Sequence, residues 1–165
     1  MGNHEKYIWE AKLDADMNHR YFMAIHERFR EREKRSRIAL GLMTSGTVAT
    51  WSFWNAGYGE VLWKVLSALA AAWSVISPLL NWSKRAESAF KLKVAYQVVL
   101  SDYELLWLQL DKLDEKSVLK RIESIQKQKN DLAVIEKELP TADEELILKC
   151  QEAVEKARGL KGKSI

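Results

Sequence analysis

Residues 38–54 read IALGLMTSGTVATWSFW, and residues 61–82 read VLWKVLSALAAAWSVISPLLNW. The first run is 17 residues without a charge, about 25 Å as a helix. The second is 22 residues, about 33 Å, and Lys64 is its one charge. A hydrocarbon core is about 30 Å thick. The linking segment 55–60, NAGYGE, has the length of a hairpin turn. This pattern predicts two transmembrane helices, about 38–56 and 61–82, joined by a tight turn. Average values conceal it. The chain has 165 residues, 47% hydrophobic and 30% charged, with mean hydropathy −0.30 and net charge +3, all ordinary for a globular protein. Yet 16 charged residues precede position 38, 31 follow position 82, and only Glu60 and Lys64 lie between.

The flanks of this zone orient it. Arg28, Arg30, Arg32, Lys34, Arg35 and Arg37 stand just before it, and Lys84 and Arg85 just after, as membrane-anchoring cations. The turn carries no basic residue, so the positive-inside rule puts both termini in the cytoplasm. Trp51, Trp54, Tyr58 and Trp63 would make the outer aromatic belt, with Trp82 at the inner interface. A cleaved signal peptide is excluded by an apolar run that starts at residue 38. Met1-Gly2 would suit myristoylation, but position 6 is Lys rather than Ser or Thr. A single cysteine, Cys150, excludes an internal disulfide.

The expected fold class is an all-α membrane protein. Its parts are a basic amphipathic helix (1–37), the transmembrane hairpin (38–82), a cytoplasmic coiled-coil-like helical bundle (83–158) and a loose tail (159–165). In the second span Lys64, Ser67, Ala71, Ser74, Ser77 and Asn81 recur at spacings of three or four. Leu62, Val65, Leu69, Trp73, Ile76 and Leu80 lie on the other side. In the first span Gly41, Ser45 and Ala49 step by four, with Thr47 beside them. Small and hydroxyl residues suit close helix packing. The same stripe could line a pore, which two helices can enclose only as several copies. Pro78 is expected to bend the second helix.

Beyond Trp82, Leu92, Tyr96, Val99, Tyr103, Leu106, Leu110 and Leu113 alternate spacings of four and three, a heptad seam. It suits either an intramolecular core or a stalk between subunits. Asp114-Glu115-Lys116-Ser117 carries a turn, with Ser117 a cap for the next helix, which runs to about Leu139 and returns antiparallel. Lys129 interrupts that helix's apolar seam. Pro140 ends it, Thr141 and Glu144 form a capping box, and the last helix stops at Gly159.

No Gly-rich phosphate loop, metal-ligand cluster or nucleophile–base set is present, so no enzyme activity, cofactor or metal is expected. Arg20 and His26 are spaced like the Arg-x(4–6)-His signature of HEPN ribonucleases, which they resemble. Tyr21 departs from that pattern, and six residues set the pair about 240° apart on one helix.

The whole layout resembles the SLATT family, the SMODS- and SLOG-associating two-transmembrane effector domain. The resemblance covers about residues 5–158. It rests on Trp9-Glu10-Ala11, the Arg-rich run into Ile38, the hairpin, Tyr103–Leu110 and Pro140–Val154. It implies a bacterial antiphage effector in the inner membrane that oligomerises and forms or gates a pore. It also implies a homo-oligomer, the lipid bilayer, and a soluble defence protein or nucleotide signal as partners, with no direct nucleic acid. The alternative is a membrane-anchored adaptor that recruits a soluble defence enzyme.

Overall fold

A computed structural model describes residues 3–49, 58–140 and 142–160. The regular elements among them are all helical: α1 (Asn3–Ala49), α2 (Tyr58–Leu79), α3 (Trp82–Gln109), a 3-10 turn (Leu110–Lys112), α4 (Glu115–Glu136) and α5 (Glu144–Ala157). Met1-Gly2, Trp51, Trp54, the 55–57 part of the expected turn, Thr141 and the tail from residue 161 lie outside the described residues. So do the side chains of Ser45, Thr47, Tyr58 and Trp63.

Several boundaries differ from the sequence reading. No break separates residues 37 and 38. Arg35 pairs with Glu31 at 2.7 Å and Arg37 with Glu33 at 2.6 Å, so i,i+4 ion pairs carry one helix straight through the expected boundary. α2 ends at Leu79 rather than Trp82. Pro78 sits in its last turn, and Asn81, expected on the polar stripe of that helix, takes φ of 48° in the break before α3. Asparagine is one of the few residues that tolerate this left-handed conformation. Asp114, rather than Ser117, caps α4, accepting from the Ser117 N–H at 3.3 Å. Asp143 caps α5, accepting from the Leu146 N–H at 3.0 Å, where a Thr141 cap was expected.

Among the described residues no helix is long and apolar enough to cross a membrane. α1 adds only residues 38–49 of the first apolar run to described helix, about 18 Å. α2 carries Glu60, Lys64, Ser67, Ser74, Ser77 and Pro78 among its 22 residues. The expected membrane-protein class, its transmembrane hairpin and its multi-pass inner-membrane location with cytoplasmic termini are corrected accordingly. A pore or a hairpin anchor needs a crossing helix, and the described residues supply none.

The chain divides into two compact units, Met1–His26 with Glu87–Ile165, and Glu27–Ala86. The first is a helical bundle built on the α3 seam. Leu92, Tyr96, Val99, Tyr103 and Leu106 are buried within this single chain, and Leu110 and Leu113 pack partly buried. Ile8 and Ala15 of α1 and Val118 and Ile125 of α4 close the core around them. Trp9 meets Trp107 with ring centroids 5.5 Å apart, and Phe22 stacks on Tyr96 at 5.5 Å, so α1 runs antiparallel to α3. Ser88 donates to Glu138, Tyr96 donates to Glu136, and Gln126 donates to Tyr103, which makes α4 antiparallel to α3 as well. Lys129, the interruption in the α4 seam, meets the Asp14 carboxylate. Leu146, Cys150 and Val154 bury the apolar side of α5. Gly159, with φ of 69°, closes the end of α5 as its N–H donates to Lys156 O at 3.3 Å.

Burial pushes the Tyr96 phenol well above its ordinary value, and its bond to Glu136 adds to the shift. Burial does the same to Tyr103, with Tyr7 beside it contributing. Both folded-state values are raised, so the stability they lend is intact below about pH 10 and falls as the unfolded chain ionises above it. At pH 11 the loss is on the order of 1 kcal/mol for each tyrosine. Urea unfolding at pH 9 and pH 11 should show it. Tyr96→Phe should lower stability at pH 9 but flatten the alkaline decline, and an unchanged decline in that variant would refute the assignment.

Candidate functional site

The first unit holds a buried ion cluster that sequence patterns did not reveal. Lys12 and Asp16 are 7% and 5% exposed, one turn apart on α1. Lys12 Nζ lies 5.0 Å from the Trp9 ring centroid and 5.9 Å from that of Trp107, a cation held over two indoles. Burial lowers its pKa, and Arg158 pushes the same way against Glu104 and Asp16. Asp16 accepts from Arg20 Nε at 2.7 Å and from Arg158 at 3.3 Å. Arg158 also donates to Glu104 at 3.1 Å. Burial opposes the charge on Arg158, but its bonds to Glu104 and Asp16 outweigh that and raise its pKa. Asp16 and Glu104 are each paired with a cation. The cluster ties α1, α3 and α5 together. The one local signal was Asp16 and Arg20 at i,i+4.

The Arg20 and His26 pair of the ribonuclease-like spacing is not brought together. Arg20 is held by Asp16, while the His26 ring lies 5.4 Å from Phe90. His19 Nδ1 donates to Lys93 O at 3.0 Å, which consumes that imidazole in helix packing.

The second unit contains most of the predicted site residues. Ser36 of α1 is buried, shares a hydrogen bond with Ser77 at 2.8 Å, and accepts from Trp73 Nε1 at 3.2 Å. Trp73 also meets Trp82, with centroids 6.2 Å apart. Ser67, Ala70, Trp73 and Ser77 are the half-buried positions of α2 from residue 67 to its end, and Leu80 just beyond it is half-buried too. Through Ser77 and Trp73 this face meets α1. Trp73 therefore sits with the small polar residues rather than on the bulky side, because its indole N–H finds the Ser36 hydroxyl. Lys64, Ala71, Ser74 and Asn81 are exposed, and Ser74 donates to Ala71 O at 2.7 Å within its own helix. Gly41 is exposed with open space around it.

The other side of α2 is uncovered. Val65 is 50% exposed, Leu69 56%, Ile76 46% and Leu79 73%, and Ala72 between them is also exposed. These five positions step by four, three, four and three, the a/d pattern of a coiled coil. Of the predicted anchoring cations, Arg28, Arg30, Arg32, Lys34, Arg35, Arg37 and Lys84 are exposed and Arg85 is half-buried. Compared with known proteins, the chain matches no family model, no curated protein and no solved structure.

Proposed function

We propose that this chain is a non-catalytic helical assembly protein that pairs with a second copy of itself along the exposed seam of α2. The exposed Val65-Leu69-Ala72-Ile76-Leu79 stripe carries this reading. The stripe is uncharged and heptad-spaced, so two copies can interlock knobs into holes without opposing charge. Residues at its flanks, Val75 and Ala68, are apolar too, which widens the contact. Left in water, a stripe of this size opposes solubility, and burying each large side chain returns about 1.5–3 kcal/mol. The first unit, with its closed core and ion cluster, then serves as a rigid body carried by the pairing helix.

The resemblance to SLATT effectors leaned on a two-span hairpin, and its membrane-breaching output has no helix to perform it among the described residues. Its other implication, a homo-oligomer, is what the α2 stripe supports.

Sedimentation velocity on the full chain tests the reading. The 19.1 kDa chain should sediment as a dimer at micromolar concentration. Leu69→Lys with Ile76→Lys should return it to monomer with unchanged helicity. Ser74→Lys, outside the a/d positions, should leave the dimer intact. A wild-type monomer at 100 µM (on the order of the weakest specific contacts) would end the proposal.

A further inference from the structure

The second unit also contains a groove of about 690 Å³, within the size range of small-molecule sites. Arg30, Glu33, Lys34, Arg37 and Ile38 line it from α1, and Ser83 lines it from the first turn of α3. The α1 residues fall at i, i+3, i+4, i+7 and i+8, one stripe of a helix. Their charges do not cancel. Glu33 is taken by Arg37 at 2.6 Å. Arg30 and Lys34, a turn apart, have no carboxylate partner among the described residues. Two uncompensated cations, a third held in place by Glu33, and a hydroxyl thus converge on one groove. Ile38, 52% exposed, provides an apolar edge.

We infer that this groove binds the phosphate chain of a small polyphosphorylated ligand. A guanidinium matches phosphate oxygens in a bidentate fork, and the lysine adds a compact charge beside it. A multiply charged phosphate chain fits two open cations better than a single carboxylate does. A long nucleic acid backbone fits poorly, because Glu27, Glu31 and Glu33 interrupt the basic run and would repel successive phosphates. The same headgroup chemistry could be presented by a free molecule or by a phosphorylated lipid, and the experiment separates them.

Calorimetry on the full chain in 150 mM salt would use tripolyphosphate and ATP. A parallel co-sedimentation would use phosphatidylcholine vesicles containing a phosphoinositide bisphosphate. Binding is expected, with Arg30→Gln and Lys34→Gln each weakening it about tenfold or more. Both side chains are exposed, so the variants should keep the wild-type helicity. Lys120→Gln, on the exposed side of α4, should change nothing. Binding to tripolyphosphate supports the groove with a soluble ligand. Binding to vesicles alone, lost in the same two variants, supports it with a lipid headgroup. No binding in either arm overturns the inference, as does equal weakening by Lys120→Gln, which would mean diffuse charge attraction.

Discussion

Asp16→Ala is expected to lower folding stability by about 3 kcal/mol, a loss read from urea unfolding followed by helical circular dichroism. Asp16 is almost fully buried and neutralises two cations, Arg20 at 2.7 Å and Arg158 at 3.3 Å. Its removal leaves both without that partner and takes from Lys12 a carboxylate that offsets the charge of Arg158, while Glu104 remains beside Arg158. Breaking one side of a buried pair costs about 3–5 kcal/mol. The low end applies because the Arg20 and Arg158 side chains keep 36% and 26% of their exposure and can recover some hydration. A double-mutant cycle with Arg158→Ala should show coupling above about 1 kcal/mol. A total loss below about 1 kcal/mol would place the cluster with ordinary surface bridges.

Leu106→Ala should cost about 3–4 kcal/mol, because Leu106 is 1% exposed in the seam of α3 and its truncation leaves a cavity that helices on several sides cannot fill. Leu108, two residues on and 75% exposed, is the matched control, and Leu108→Ala should stay within about 0.5 kcal/mol. The comparison also separates a core within one chain from a seam between chains. The Leu106→Ala difference from wild type should not change with protein concentration, even if the absolute stability of a self-associating chain does. A difference that grows on dilution would move the seam to a subunit interface.

How far each of these sites was legible follows from where its partners lie. The seam was readable because its positions repeat at four and three, a local property, although only the five from Leu92 to Leu106 lie in α3, while Leu110 falls in the 3-10 turn and Leu113 just after it. The Gly159 stop was readable for the same local reason. The α1 boundary was misread because the charge change at residue 37 looks like an end of a helix, while the Glu31–Arg35 and Glu33–Arg37 pairs stitch it through. The caps at Asp114 and Asp143 were misplaced within stretches holding several capping residues, where the choice depends on which side chain meets a free N–H.

The ion cluster was invisible for a different reason. Lys12 and Asp16 look like solvated helix charges until Arg158, 142 residues from Asp16, folds against them. In α2 both faces were legible as stripes, small and polar on one side, bulky and apolar on the other. Their environments were not. Ser36 drew Ser77 and Trp73, one residue from each stripe, to α1, and left Lys64, Ala71 and Ser74 of the small stripe exposed together with Val65, Leu69 and Ile76 of the bulky one. By itself the sequence determined the all-helical class, the heptad seam and the concentration of charge at both ends of an apolar middle, because periodicity and composition are local. Only the tertiary structure decided which charges are buried, which face of α2 is covered, and that the apolar middle forms no crossing helix among the described residues. Burial is settled by contacts between residues far apart in the chain, and no local pattern encodes their meeting.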